Sequence, residues 1–124
     1  MVNIVLLYVG AGLTAIWGIA HLFPTSSVLK GFGEISADNK NIITMEWIVE
    51  GVSLIFIGVL VAMVTIIDPT NSVSIAVYLL SALGLLVLAM VSLFTGFKIK
   101  FLPFRLCPVI FTVSAILIVI GGLL

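Results

Sequence analysis

The chain has 124 residues, of which 63% are apolar and 8% charged, and five Lys and Arg balance five Asp and Glu. A water-soluble domain carries about 25% charged and 45–50% apolar residues, so this composition cannot cover the surface of a soluble monomer, and it is equally far from that of a disordered chain. The lack of basic excess excludes a nucleic-acid partner, and the single cysteine, Cys107, excludes an internal disulfide framework and a multi-cysteine zinc site.

What remains is an integral membrane protein of one domain, 1–124. A bilayer core about 30 Å thick takes roughly 20 apolar helical residues per crossing. Four stretches supply them, at 2–23, 42–67, 73–97 and 103–124. Backbone groups in lipid are satisfied only in helices or closed barrels. These runs are continuous rather than alternating with period two, which selects helices. The predicted fold class is all-α, an integral membrane four-helix bundle with antiparallel, up-down spans.

The first span stops at Pro24. No Lys or Arg precedes it, so the positive region of a signal peptide is missing, and it reads as a retained span despite the cleavage-like triplet Gly18-Ile19-Ala20. Gly10, Thr14, Trp17 and His21 follow i, i+4, i+7, i+11 and share one face, while Ala11, Ala15 and Gly18 form a small-residue stripe. In the segment 24–41, Val28, Leu29, Phe32 and Ile35 have the spacing of an amphipathic helix, with Ser26 or Ser27 as N-cap. Gly31 and Gly33 oppose that helix, so a short interfacial helix within 26–36 and an irregular loop dipping into the headgroups both stay open. Ser36 or Asn41 caps the second span.

The second span carries two acidic residues, Glu46 and Glu50, which are four apart and share a face that Ser53 continues. At 1.5 Å per residue, Glu50 lies roughly 12 Å along the helix from Ile42. An acidic group at that depth costs about 2.5–3.5 kcal/mol, so it is expected to face the bundle interior and to have a partner. The short turn 68–72 ties this span to the third in a tight hairpin. The fourth span begins near Phe101 or Pro108. Small residues recur along the later spans as well: Gly51, Gly58 and Ala62, then Ser81, Ala89, Ser92 and Gly96, then Thr112, Ala115 and Gly122. Helices associate in lipid through such close backbone approach, here within the chain or between copies of it. Trp17, Trp47, Tyr8 and Tyr78, near span ends, read as aromatic-belt anchors.

Lys30, Lys40, Lys98, Lys100 and Arg105 are all the basic residues of the chain, and all fall in the loops after spans 1 and 3. The positive-inside rule puts loops 24–41 and 98–107 in the cytoplasm and both termini on the other side, as in a bacterial or archaeal inner membrane. This topology gathers His21, Glu46, Glu50, Arg105 and Cys107 into one half of the bundle.

Three roles fit that cluster. In the first it is structural: His21 or Arg105 pairs with Glu46, and Glu50 bonds to a Ser, Thr or backbone group. In the second, Glu50, Glu46, His21, Arg105, Ser53 and Trp17 form a ligand-binding or proton-relay pocket for a quinone-like or lipid-like molecule. In the third it lies on a transport path through an oligomer. A metal is not expected, because one His and two Glu from two helices make an incomplete shell and no H-E-x-x-H occurs. No nucleophile–base–acid triad, phosphate loop, CxxC or G-x-S-x-G is present. Cys107, beside Arg105 and before Pro108, reads as a small apolar residue in preference to a reactive thiol.

The stretches GLTAIWGIAHLF (12–23) and MEWIVEGVSLIFIGVLV (45–61) resemble the DoxX-like superfamily of small four-span membrane proteins. The likeness rests on an aromatic- and glycine-rich end to helix 1 and on an acidic residue followed by glycines in helix 2. The acidic position maps to Glu46 or Glu50 and the glycines to Gly51 and Gly58. His21 stands where a helix 1 lysine is often found, a departure that bears on any shared chemistry. The resemblance implies a redox-associated or ligand-binding role, since relatives are linked to quinone-coupled respiratory oxidation. The expected function is that of an accessory or ligand-binding membrane protein with a His/Glu pocket. Alternatives are a subunit of a quinone-linked oxidoreductase and an oligomeric small-solute or proton transporter. Its expected partners are the lipid bilayer and a homo-oligomer or larger membrane complex.

Overall fold

The computed structural model describes residues 1–96 and 98–124. The described residues form helices and no strands: α1 (Ile4–Leu22), α2 (Thr25–Gly31), α3 (Ala37–Ile67), α4 (Ser72–Thr95) and α5 (Leu102–Leu123). All but α2 are long and apolar enough to cross a membrane. Their outward faces are apolar too, with Ile66 65% and Leu80 71% exposed. Apolar surface on this scale suits a lipid environment rather than water.

Local chemistry sets the boundaries. Asn3 caps α1, its Oδ1 accepting from the Val5 and Leu6 amides at 3.1 and 3.2 Å. Ser36 caps α3 by accepting from the Asn39 amide at 3.2 Å, so α3 starts five residues before the expected position 42. Residues 38–41 are all polar, and an apolar run cannot report a helical turn that lies outside the apolar layer. The segment after α1 does contain a short helix, but neither Ser26 nor Ser27 caps it. Its N-cap is Pro24, without a side-chain bond. The end expected for the third span, position 97, lies outside the described residues, and α4 stops at Thr95. Helix α5 begins at Leu102, so Pro108 is internal. Having no N–H, Pro108 leaves the Phe104 carbonyl without its usual i+4 donor.

The turn between α3 and α4 is held by side-chain hydrogen bonds at both of its ends. Asp68 Oδ1 accepts from the Thr70 hydroxyl at 2.8 Å and the Thr70 amide at 3.0 Å, Asn71 Oδ1 from the Val73 amide at 2.9 Å, and the Ser74 hydroxyl donates to the Asp68 carbonyl at 2.6 Å. The Thr70 hydroxyl and then the Thr70 amide hold the Asp68 carboxyl below its usual range.

Helix α1 packs on α3 and α5, and α5 on α4, whereas α3 and α4 touch far less. The α1–α3 seam is made of small residues. A Cβ on Gly18 would stand 2.7 Å from the Gly51 carbonyl oxygen, and one on Gly58 would stand 2.5 Å from the Ala11 carbonyl oxygen. Only hydrogen fits at either place. At the far side of α1, the Asn3 amide donates to the Gly121 carbonyl at 2.7 Å. Near the α3–α4 turn Tyr78 is fully buried, and its hydroxyl lies 3.0 Å from that of Thr65. Tyr78 is therefore a core residue and not the belt anchor expected of it. A tyrosine near a span end buries its ring when the facing helix offers room, as Gly122 of α5 does here.

Candidate functional site

At the other end of the bundle the chain of contacts loosens. The α1–α3 seam fixes the register, because Gly18 meets Gly51. One turn further along α1, His21 then stands level with Trp47 and Glu50. His21 is 9% exposed. Its ring stacks on the Trp47 indole at 3.9 Å between centroids and 18° between planes. The Trp47 indole N–H donates to the His21 carbonyl at 2.8 Å. That bond satisfies one of the carbonyls that the end of α1 leaves without a helical donor, and the Thr25 hydroxyl takes the next, at Leu22, at 2.6 Å. Phe104 of α5 meets the other side of Trp47 edge-on at 5.4 Å.

His21 Nε2 lies 3.4 Å from Glu50 Oε2. The approach lacks hydrogen-bond geometry, so Nε2 is buried without a hydrogen-bond partner. Such orphaned polar atoms are rare in folded proteins, and each asks for an explanation. Two cavities adjoin the imidazole. One, of about 210 Å³, is lined by His21, Glu50, Ser92, Thr95, Phe104 and Cys107 among others. The second, of about 150 Å³, is mainly aromatic, with Trp17, Trp47, Phe101 and Phe104 in its wall. A groove between α3 and α4, with Glu46, Trp47, Ser53 and Leu88 on its sides, also reaches Glu50.

The residues singled out from the sequence are thus treated unequally. His21 and Glu50 come together. Glu46 does not take the partner expected for it: it is exposed, one turn beyond Glu50 on the groove, and the imidazole is beside Glu50 instead. Ser53 is exposed and donates to the Val49 carbonyl at 2.7 Å. Arg105 is exposed, with its Nε donating to the Ile99 carbonyl at 3.0 Å. Trp17 is half-buried on the aromatic side. Cys107 is buried, its thiol 3.4 Å from the Pro103 carbonyl, as befits a small apolar residue. Among the described residues, no three His, Cys, Asp or Glu side chains converge to hold a metal ion.

Three contributors were not singled out as site residues. Trp47 reads from the sequence as a belt anchor, yet it sits three residues before Glu50 and so on its face, which is a usable signal. Ser92 reads as a packing residue. No motif marks Phe104, whose place depends on where α5 starts. No family model matches the chain, and no curated protein or solved structure shows significant similarity to it.

Proposed function

We propose that this protein is an accessory or ligand-binding membrane protein whose site is centred on Glu50 and His21, with Trp17, Ser53, Glu46 and Arg105 around it. Its helices run up and down across an inner membrane, with loops 24–41 and 98–107 in the cytoplasm. The contacts Gly18–Gly51, Gly58–Ala11 and Tyr78–Gly122 support the alternation of directions, and the placement of all five basic residues supports the orientation. The observation that carries the reading is the buried imidazole with an unbonded Nε2, set beside a carboxyl group at the wall of a cavity. A network that only fixed helix register would be expected to close its hydrogen bonds. A small amphipathic molecule, quinone-like or lipid-like, would supply the missing contacts. The likeness of 12–23 and 45–61 to DoxX-like proteins agrees with a ligand-binding role and is part of the proposal.

The test is native mass spectrometry of the protein purified in mild detergent. The expected result is a small-molecule adduct on the wild type that Glu50→Gln releases. A wild type without an adduct, or equal occupancy in both proteins, would overturn the reading.

A further inference from the structure

The wall around Glu50 has one-sided hydrogen-bonding chemistry. The Ser92 hydroxyl donates to the Leu88 carbonyl at 2.7 Å, and the Thr95 hydroxyl to the Val91 carbonyl at 2.6 Å. Ser53, further along the groove, donates to the Val49 carbonyl at 2.7 Å, and the Cys107 thiol points to the Pro103 carbonyl at 3.4 Å. Each of these groups has one hydrogen to give and has given it to its own helix. What they present to the space beside Glu50 is lone pairs. The carboxylate adds two more acceptor oxygens. With its proton on Nδ1, the imidazole turns the unbonded Nε2 lone pair to the same space.

The shape of the space is equally informative. Helices α3 and α4 follow one another in the chain and meet near the hairpin at Thr65 and Tyr78, yet they touch far less than α1 and α3 or α4 and α5 do. The gap is the groove of about 420 Å³ that runs from Leu88 and Val49 to Glu46 and Trp47, and Glu50 belongs both to it and to the inner cavity. The Glu50 side chain is 39% exposed, whereas that of His21 is 7% exposed. The carboxyl group therefore stands at the junction of an open, mainly apolar groove and an acceptor-lined chamber.

We propose that the α3–α4 groove is a lateral entrance from the lipid and that the chamber takes the protonated amine of an alkylammonium amphiphile. The ammonium shares its donors among Glu50, His21 Nε2, Ser92 and Thr95, and the alkyl chain lies along Leu88 and Val49. This inference rests on the ligand-binding reading above and narrows it to one class. An alcohol would give one donor and no charge, and a fatty acid would bring a second anion to a site already rich in acceptors. The ammonium gives three donors and neutralises the carboxylate, which is costly to leave unpaired in a poorly hydrated site.

The experiment is equilibrium dialysis of octylammonium, octanol and octanoate against the full chain in zwitterionic nanodiscs, with empty nanodiscs as the blank. Saturable binding of octylammonium is expected, with octanol at least tenfold weaker and octanoate unbound. Glu50→Gln is expected to weaken octylammonium at least tenfold, and Asp38→Asn, at the exposed start of α3, to leave it unchanged. Where Glu50→Gln fails to fold, Leu88→Trp gives the second test: the indole fills the groove and abolishes binding. Equal or tighter binding of octanol or octanoate would overturn the ammonium assignment while leaving the ligand-binding reading in place. Unchanged octylammonium binding in either Glu50→Gln or Leu88→Trp would overturn the route and the site. No saturable binding of any probe would overturn both readings together.

Discussion

Helix α3 has two unlike faces. Toward α1 it is closed: Gly51 and Gly58 bring the two backbones so near that no side chain fits between them. Toward α4 it is open beyond the hairpin, and the polar residues on that side are Glu46, Glu50 and Ser53. The difference shows how a small bundle combines close packing on one face with an open groove on another. Lipid supplies no hydrophobic drive for helix association, so packing has to come from close backbone contact. Concentrating that contact on one face of α3 leaves the other free to part from its neighbour in the chain.

The comparison breaks first at the closed face. Gly58→Leu forces a side chain against the Ala11 carbonyl and Ala15. It is expected to destabilise the fold by about 3 kcal/mol, the upper end for overpacking, as read from unfolding in mixed micelles. A loss below about 1 kcal/mol would show that the seam yields easily. Next comes the point where α3 and α4 do meet. Tyr78→Phe removes the bond to the Thr65 hydroxyl. It is expected to cost about 1 kcal/mol in the same assay, and no change would mean that this contact does not hold the hairpin. The open face should respond least. Ser53→Ala removes an exposed hydroxyl bonded to its own helix, and the expected change is within about 0.5 kcal/mol. A larger loss would indicate that the groove is packed shut in the membrane.

The sequence reveals much of the closed face and less of the open one. Long apolar runs mark four helices, and the stripes that hold Gly18, Gly51, Gly58 and Gly122 identify faces that meet, whereas Gly12 and Gly84 face open space. The level of His21 with the first turns of α3 follows from span count. Which carboxylate it approaches does not, because Glu46 and Glu50 share a face and only the Gly18–Gly51 contact sets the register. Rotation about a helix axis is likewise set by neighbours. This is why Tyr78 and Trp47, two aromatics near span ends, read alike as belt anchors yet go to the core and to the imidazole. The separation of α3 from α4 has no local signature, for a short turn implies adjacent helices.

The central claim is that Glu50 is reached through the gap between α3 and α4. The most direct test is modification of the membrane-embedded protein by a lipid-soluble carbodiimide, with labelled carboxyl groups located by mass spectrometry. Glu50 is expected to be labelled in the wild type and Leu88→Trp to slow its labelling at least tenfold, while the exposed carboxyl of Glu34 is labelled alike in both proteins. An unreactive Glu50 in the wild type, or an equal rate with the groove filled, would contradict the claim.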